Sequence, residues 1–138
     1  MFGDKPRQMK TKILMTLSAV TLALAGIALT FAPEEILLSI SAEGTPALTL
    51  VLQLLGALYF GFGMLNWMTK TARIGGIYNR PVAVANSSHY AIAALALMKS
   101  LTGNSDLPAI IWVVAIVYAV FATAFGALLF WSPVKSQD

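Results

Sequence analysis

The chain has 138 residues, the length of one small domain, yet 58% of them are hydrophobic and only 11% are charged. A soluble domain has roughly 45–50% apolar and about 25% charged residues. A soluble globule is therefore excluded for lack of a water-facing surface, and intrinsic disorder for excess of apolar content. There is no cysteine, which removes disulfides, thiolate nucleophiles, iron–sulfur clusters and cysteine-type zinc sites. The single histidine, His89, cannot make a metal site by itself, and no cofactor is expected.

Four apolar runs, at about 13–31, 46–69, 81–101 and 107–131, each approach or exceed the roughly 20 helical residues that cross a bilayer. They leave no room for a second domain, so the expected fold is an all-α, four-helix membrane bundle. Lys5, Arg7, Lys10 and Lys12 precede the first run and resemble the charged start of a signal peptide. The run itself is 19 residues long, beyond the roughly 7–15 of a signal core, and Pro33 after Ala32 makes a poor cleavage site. An uncleaved anchor is expected. The stretch 33–42, with Glu34 and Glu35 beside a short apolar run, is too short to span and reads as an interfacial helix, with an ordinary loop holding a few buried anchors as the alternative.

Thr45-Pro46 reads as an N-cap followed by the first helical residue, where the missing N–H of proline costs nothing. Gly75-Gly76 marks a turn in the next connection. Asn79-Arg80-Pro81 and Asp106-Leu107-Pro108 each place a capping side chain ahead of a first-turn proline, and Ser132-Pro133 ends the fourth helix.

Eight of the nine Lys and Arg residues fall on one side of this layout: the N-terminal four, Lys70, Arg73, Arg80 and Lys135. The other side has Lys99, with Glu34, Glu35, Glu43 and Asp106. The bias predicts both termini on the cytoplasmic side. Trp67, Tyr78 and Trp131 fall at one predicted interface and Trp112 near the other, as in aromatic belts.

Small residues let helices approach closely in lipid. Thr16, Ala19, Ala23, Gly26 and Thr30 share a stripe of the first helix. Gly56, Tyr59, Gly63 and Asn66 share a face of the second, and Asn86, His89, Tyr90, Ala93 and Leu97 a face of the third. On the fourth, Ala115, Ala119, Ala122 and Gly126 align beside Tyr118. Polar groups in hydrocarbon are costly unless paired, so Tyr59, Asn66, Asn86, His89, Tyr90 and Tyr118 are the candidate ligand-binding cluster. The alternative is plain hydrogen bonding between helices, which fixes their register. Gln53 lies off this face. Haem ligation by His89 needs a second ligand such as Met64, Met68 or Met98. Ser87, Ser88 and His89 are adjacent, and adjacent residues on a helix point apart, so they form no catalytic triad. Lys70, Arg73 and Arg80 are candidates for binding lipid headgroups, against a plain positive-inside bias. No basic domain suggests nucleic acid as a partner.

The run from Gln53 to Trp67 (QLLGALYFGFGMLNW), the GGIYNRP ending at Pro81, Asn86 and His89-Tyr90 resemble small uncharacterised four-span bacterial membrane proteins. In size and layout the chain is also similar to the DoxX-like proteins and to the four-span scaffold of ergosterol synthesis, and the latter resemblance implies a membrane tether that gathers enzymes. The resemblance is one of layout, and carries no individual site residue across. The leading expectation is a non-enzymatic bundle that binds membrane lipids and either another membrane protein or itself, with a lipid-like ligand near His89. An oligomeric small-solute transporter or channel is the alternative, and a membrane enzyme using His89 comes third.

Overall fold

The computed structural model describes residues 5–71, 80–104 and 106–131. They form five helices: α1 (Lys5–Phe31), α2 (Pro33–Ser39), α3 (Pro46–Thr69), α4 (Arg80–Gly103) and α5 (Ala109–Trp131). All but α2 are long and apolar enough to cross a membrane. Even α5, with 23 residues, is about 34 Å long, more than the ~30 Å hydrocarbon core.

The helix ends follow local chemistry. Thr45 caps α3: its Oγ1 accepts from the backbone N–H of Leu48 at 3.2 Å, and Pro46 takes the first helical position. The segment read as interfacial is helical over Pro33–Ser39, with Pro33 and Leu37 buried. It ends in a Schellman motif. Ala42 N–H bonds the Leu37 carbonyl at 2.9 Å, Ser41 N–H bonds that of Leu38 at 3.1 Å, and Ser41 adopts φ 57°, a position usually given to glycine.

Two boundaries differ from the sequence expectation. α1 starts at Lys5, well before Ile13, because Lys10 and Lys12 are exposed and straight-chain residues continue a helix into water. α5 starts at Ala109, so Pro108 precedes the first turn, and its carbonyl accepts from Ile111 N–H at 2.9 Å. Leu107, next to the proline, is outside the helix as well. The expected turn at Gly75-Gly76, the cap at Asn79, Tyr78 and the stop at Ser132-Pro133 lie outside the described residues.

The long helices associate as two pairs, α1 with α3 and α4 with α5. Glycine builds the first pair. A Cβ on Gly26 would lie 2.6 Å from Phe60 N and 2.7 Å from the Gly56 carbonyl oxygen, and one on Gly63 would lie 2.9 Å from Ala19 O and Ala23 N. The stripe of small residues on α1 therefore lies against the glycines of α3. The contacts run antiparallel, Gly56 against Thr30 and Gly26, then Gly63 against Ala23 and Ala19, with both helices repeating every seven residues.

The second pair is built differently. The buried face of α5 is Ala115, Tyr118, Phe121 and Phe125, so bulky rings dominate what it turns inward. The Ala122/Gly126 spacing read as a helix-packing pattern makes no close crossing, since a Cβ on Gly126 would meet nothing within 4 Å. The pairs join through one apolar core, in which Met15 and Leu22 of α1 meet Tyr90, Ala94, Tyr118, Phe121 and Phe125. α5 also touches α1, and α3 meets α4 through side chains, so the order around the bundle is α1, α3, α4, α5.

Candidate functional site

The polar groups of the spans converge where the two pairs meet. Asn66 of α3 and Asn86 of α4 are fully buried. Their amides pair reciprocally, each Nδ2 donating to the other's Oδ1 at 2.7 Å. The second proton of each amide is also used. Asn66 Nδ2 donates to Ser18 Oγ of α1 at 2.8 Å, and Asn86 Nδ2 to the carbonyl of Val82 at 2.9 Å. Ser18 Oγ lies 2.7 Å from the Tyr90 hydroxyl, which links α1 to α4 across the bundle. The other diagonal is bridged by Tyr118 of α5, whose hydroxyl donates to that of Tyr59 of α3 at 2.8 Å. Tyr90 has no exposed surface and lies nearly parallel to Phe121 and Phe125, at centroid distances of 4.8 and 5.6 Å.

His89 occupies a distinct niche. Four rings surround its imidazole: Tyr90 at 5.1 Å, Tyr59 at 5.4 Å, Phe62 at 5.5 Å and Tyr118 at 5.7 Å between centroids. Its Nε2 is buried and has no hydrogen-bond partner, alone in this among the side-chain atoms of the described residues. Buried polar atoms are paired in the great majority of cases, so this nitrogen stands apart from the closed network next to it.

All six residues of the sequence-predicted cluster thus lie together, in two neighbouring groups. Asn66, Asn86 and Tyr90 join a network closed by Ser18, and Tyr59, Tyr118 and Tyr90 enclose His89. The sequence reading missed Ser18 and Phe62. Ser18 sits on the Met15/Leu22 edge of α1, where it reaches Tyr90 of α4 as well as Asn66 of α3, and not on the small-residue stripe packed against the α3 glycines. Gln53 is off the cluster, as expected, donating to the Thr30 carbonyl at 3.5 Å.

Met64, Met68 and Met98 are exposed on the outside of the bundle while His89 faces inward, so the arrangement does not offer His89 and one of these methionines as a pair of axial ligands. Ser88 is exposed and turned away from His89. Of the headgroup candidates, Lys70 lies over the Trp67 ring, Nζ 2.9 Å from its centroid. Arg80 is exposed at the start of α4, and Arg73 lies outside the described residues. Among the described residues no group of three His, Asp or Glu side chains is placed to hold a metal ion. No protein-family model, curated protein or solved structure matches the chain.

Proposed function

We propose that this protein is a non-enzymatic, multi-pass protein of a bacterial inner membrane, with both termini cytoplasmic, which acts by associating with copies of itself or with another membrane protein. The observation that carries this reading is the closed polar centre. Asn66, Asn86, Ser18 and Tyr90 are turned inward and bond to one another. A catalytic group has to meet a substrate, and a channel assembled from several chains needs polar faces on the outside; these four side chains are spent on one another instead. What it offers its surroundings is apolar: Leu17, Leu24, Leu54, Leu58, Ile92 and Val120 are all exposed, as suits lipid or the helices of a partner.

One observation favours a second, compatible role. His89 Nε2 is buried without a partner inside a ring of aromatics, and a lipid-like molecule bearing a hydroxyl would complete it.

Native mass spectrometry from a mild detergent tests both. A defined oligomer, or a membrane protein recovered with the chain after cross-linking, is expected. A bare monomer that captures nothing overturns the associating bundle. A lipid-sized adduct that disappears in His89→Leu supports the second role, and an adduct-free wild type refutes it.

A further inference from the structure

At the end of the bundle away from the chain termini, an open groove of about 600 Å³ lies between α2 and the first turns of α3. That volume is within the roughly 300–1,000 Å³ of small-molecule sites. The polar centre has no part in it. Glu34 stands at its rim, Leu37, Leu38 and Leu50 give it apolar walls, and Thr49 and Gln53 contribute polar groups further along α3. From Thr45 to Gln53 the groove follows about 12 Å of helix axis, enough to cross the roughly 5–8 Å headgroup layer and reach hydrocarbon. Leu38 is 77% exposed and Leu50 55%, so the apolar walls are open on the bilayer side.

We propose that this groove binds a phospholipid whose headgroup carries a primary ammonium, of the phosphatidylethanolamine class. The ammonium pairs with the Glu34 carboxylate, Thr49 and Gln53 face the ester region, and an acyl chain lies along Leu38 and Leu50. Charge selects this occupant. The charged residue lining the groove is an acid, and Glu35 and Glu43 at the same end are acids too. An anionic lipid would bring its phosphate to Glu34 with no ammonium to offset it, and the same end of a second copy of this chain would bring more acids than its Lys99 offsets. The apolar half excludes a small soluble amine, which would leave Leu38 and Leu50 uncovered. The inference deepens the lipid-binding side of the function proposed above, but at a place separate from His89. It rests only on the bundle lying in a bilayer.

The test is native mass spectrometry of the full-length chain in mild detergent, titrated with phosphatidylethanolamine or phosphatidylglycerol of identical acyl chains. One phosphatidylethanolamine should be retained per chain, about tenfold better than phosphatidylglycerol, the scale of a single charge-assisted hydrogen bond. Glu34→Gln, an exposed and conservative change, should bring the two lipids within about twofold. Glu35→Gln, outside the groove, should leave the preference intact, and Leu50→Trp should block retention of either lipid. Equal retention by the wild type, or full preference in Glu34→Gln, overturns the proposal. So does a dimer that Leu50→Trp dissolves, since the groove would then be a protein interface. Oligomer masses and the His89→Leu adduct are read separately, so failure here leaves the associating bundle and the His89 role to stand or fall on their own results.

Discussion

Replacing Gly56 with alanine puts a methyl group where two backbones already touch. The new Cβ would stand 2.7 Å from the Gly26 carbonyl oxygen and 2.8 Å from Thr30 N, against the 3.4 Å at which ordinary contact begins. The Thr30 hydroxyl lies closest and can turn aside, but these two backbone neighbours cannot, so α1 and α3 must part by about 0.7 Å at this crossing. A gap of roughly 0.5–1 Å already forfeits a quarter to a half of a dispersion contact, and overpacking typically costs about 1–3 kcal/mol. Gly61→Ala is the matched control, five residues along the same helix, where the added Cβ meets nothing within 4 Å. Both changes gain the same helix propensity, about 0.8–1 kcal/mol in water, so the difference between them isolates the interface. Unfolding in detergent, by heat or by titrated SDS and followed by circular dichroism, should place Gly56→Ala below Gly61→Ala by about 1–3 kcal/mol. Gly61→Ala should match or exceed the wild type. Equal midpoints for the two variants would refute the close α1–α3 crossing.

The remaining expectations probe other parts of the bundle. Asn66→Leu removes the hydrogen bonds to Asn86 and Ser18 and leaves a buried amide on Asn86, a loss of about 1–3 kcal/mol. Asn66→Leu combined with Asn86→Leu should cost less than the two single changes added together, because neither orphan remains; strict additivity in the double-mutant cycle would dissolve the pair. His89→Leu should leave stability in detergent unchanged or raise it, since Nε2 gives up no hydrogen bond, and a midpoint well below wild type would make His89 structural. Ser41→Gly should stabilise the chain by about 0.5–1 kcal/mol, because Ser41 is held at φ 57° where a Cβ is disfavoured; a destabilised variant would contradict the Schellman end of α2.

The spans and the Thr45 cap were legible because they depend on local properties: apolar length, a hydroxyl before a proline, and proline in the first turn. That Asn66, Asn86, His89 and Tyr90 meet in one place was not legible, since it depends on the order of the helices, but their need for partners was, because a polar group in hydrocarbon is costly alone. The choice of close-packed pair was not legible either. Small-residue stripes occur on α1, α3 and α5, but Gly56 and Gly63 find matching partners seven residues apart on α1, whereas a Cβ on Gly126 of α5 would meet nothing. Ser18 was hidden for another reason. Thr11, Thr16, Ser18, Thr21 and Thr30 distribute hydroxyls around α1, and which of them meets α4 depends on how one pair sits on the other.

That seating is where the polar centre matters most. Lipid tails are as apolar as leucine, so no hydrophobic force between helices chooses a register. The rings of Tyr90, Phe121 and Phe125 supply contact area but tolerate sliding. The Asn66–Asn86 amide pair does not: its two reciprocal bonds close at one register, and a shift of one turn leaves their donors and acceptors stranded at about 1–3 kcal/mol each. Interhelical hydrogen bonds in membranes average about 0.6 kcal/mol, so the network contributes more by penalising wrong arrangements than by strengthening the right one. Ser18, Asn66, Asn86 and Tyr90 are then accounted for by assembly of the bundle. His89 is not, because its Nε2 bonds to nothing and its place in the core would suit an apolar ring equally well. Among the described residues that nitrogen is the buried polar atom left over for a function seated in the core, and the alternative is a function seated on the outer faces and in the α2 groove.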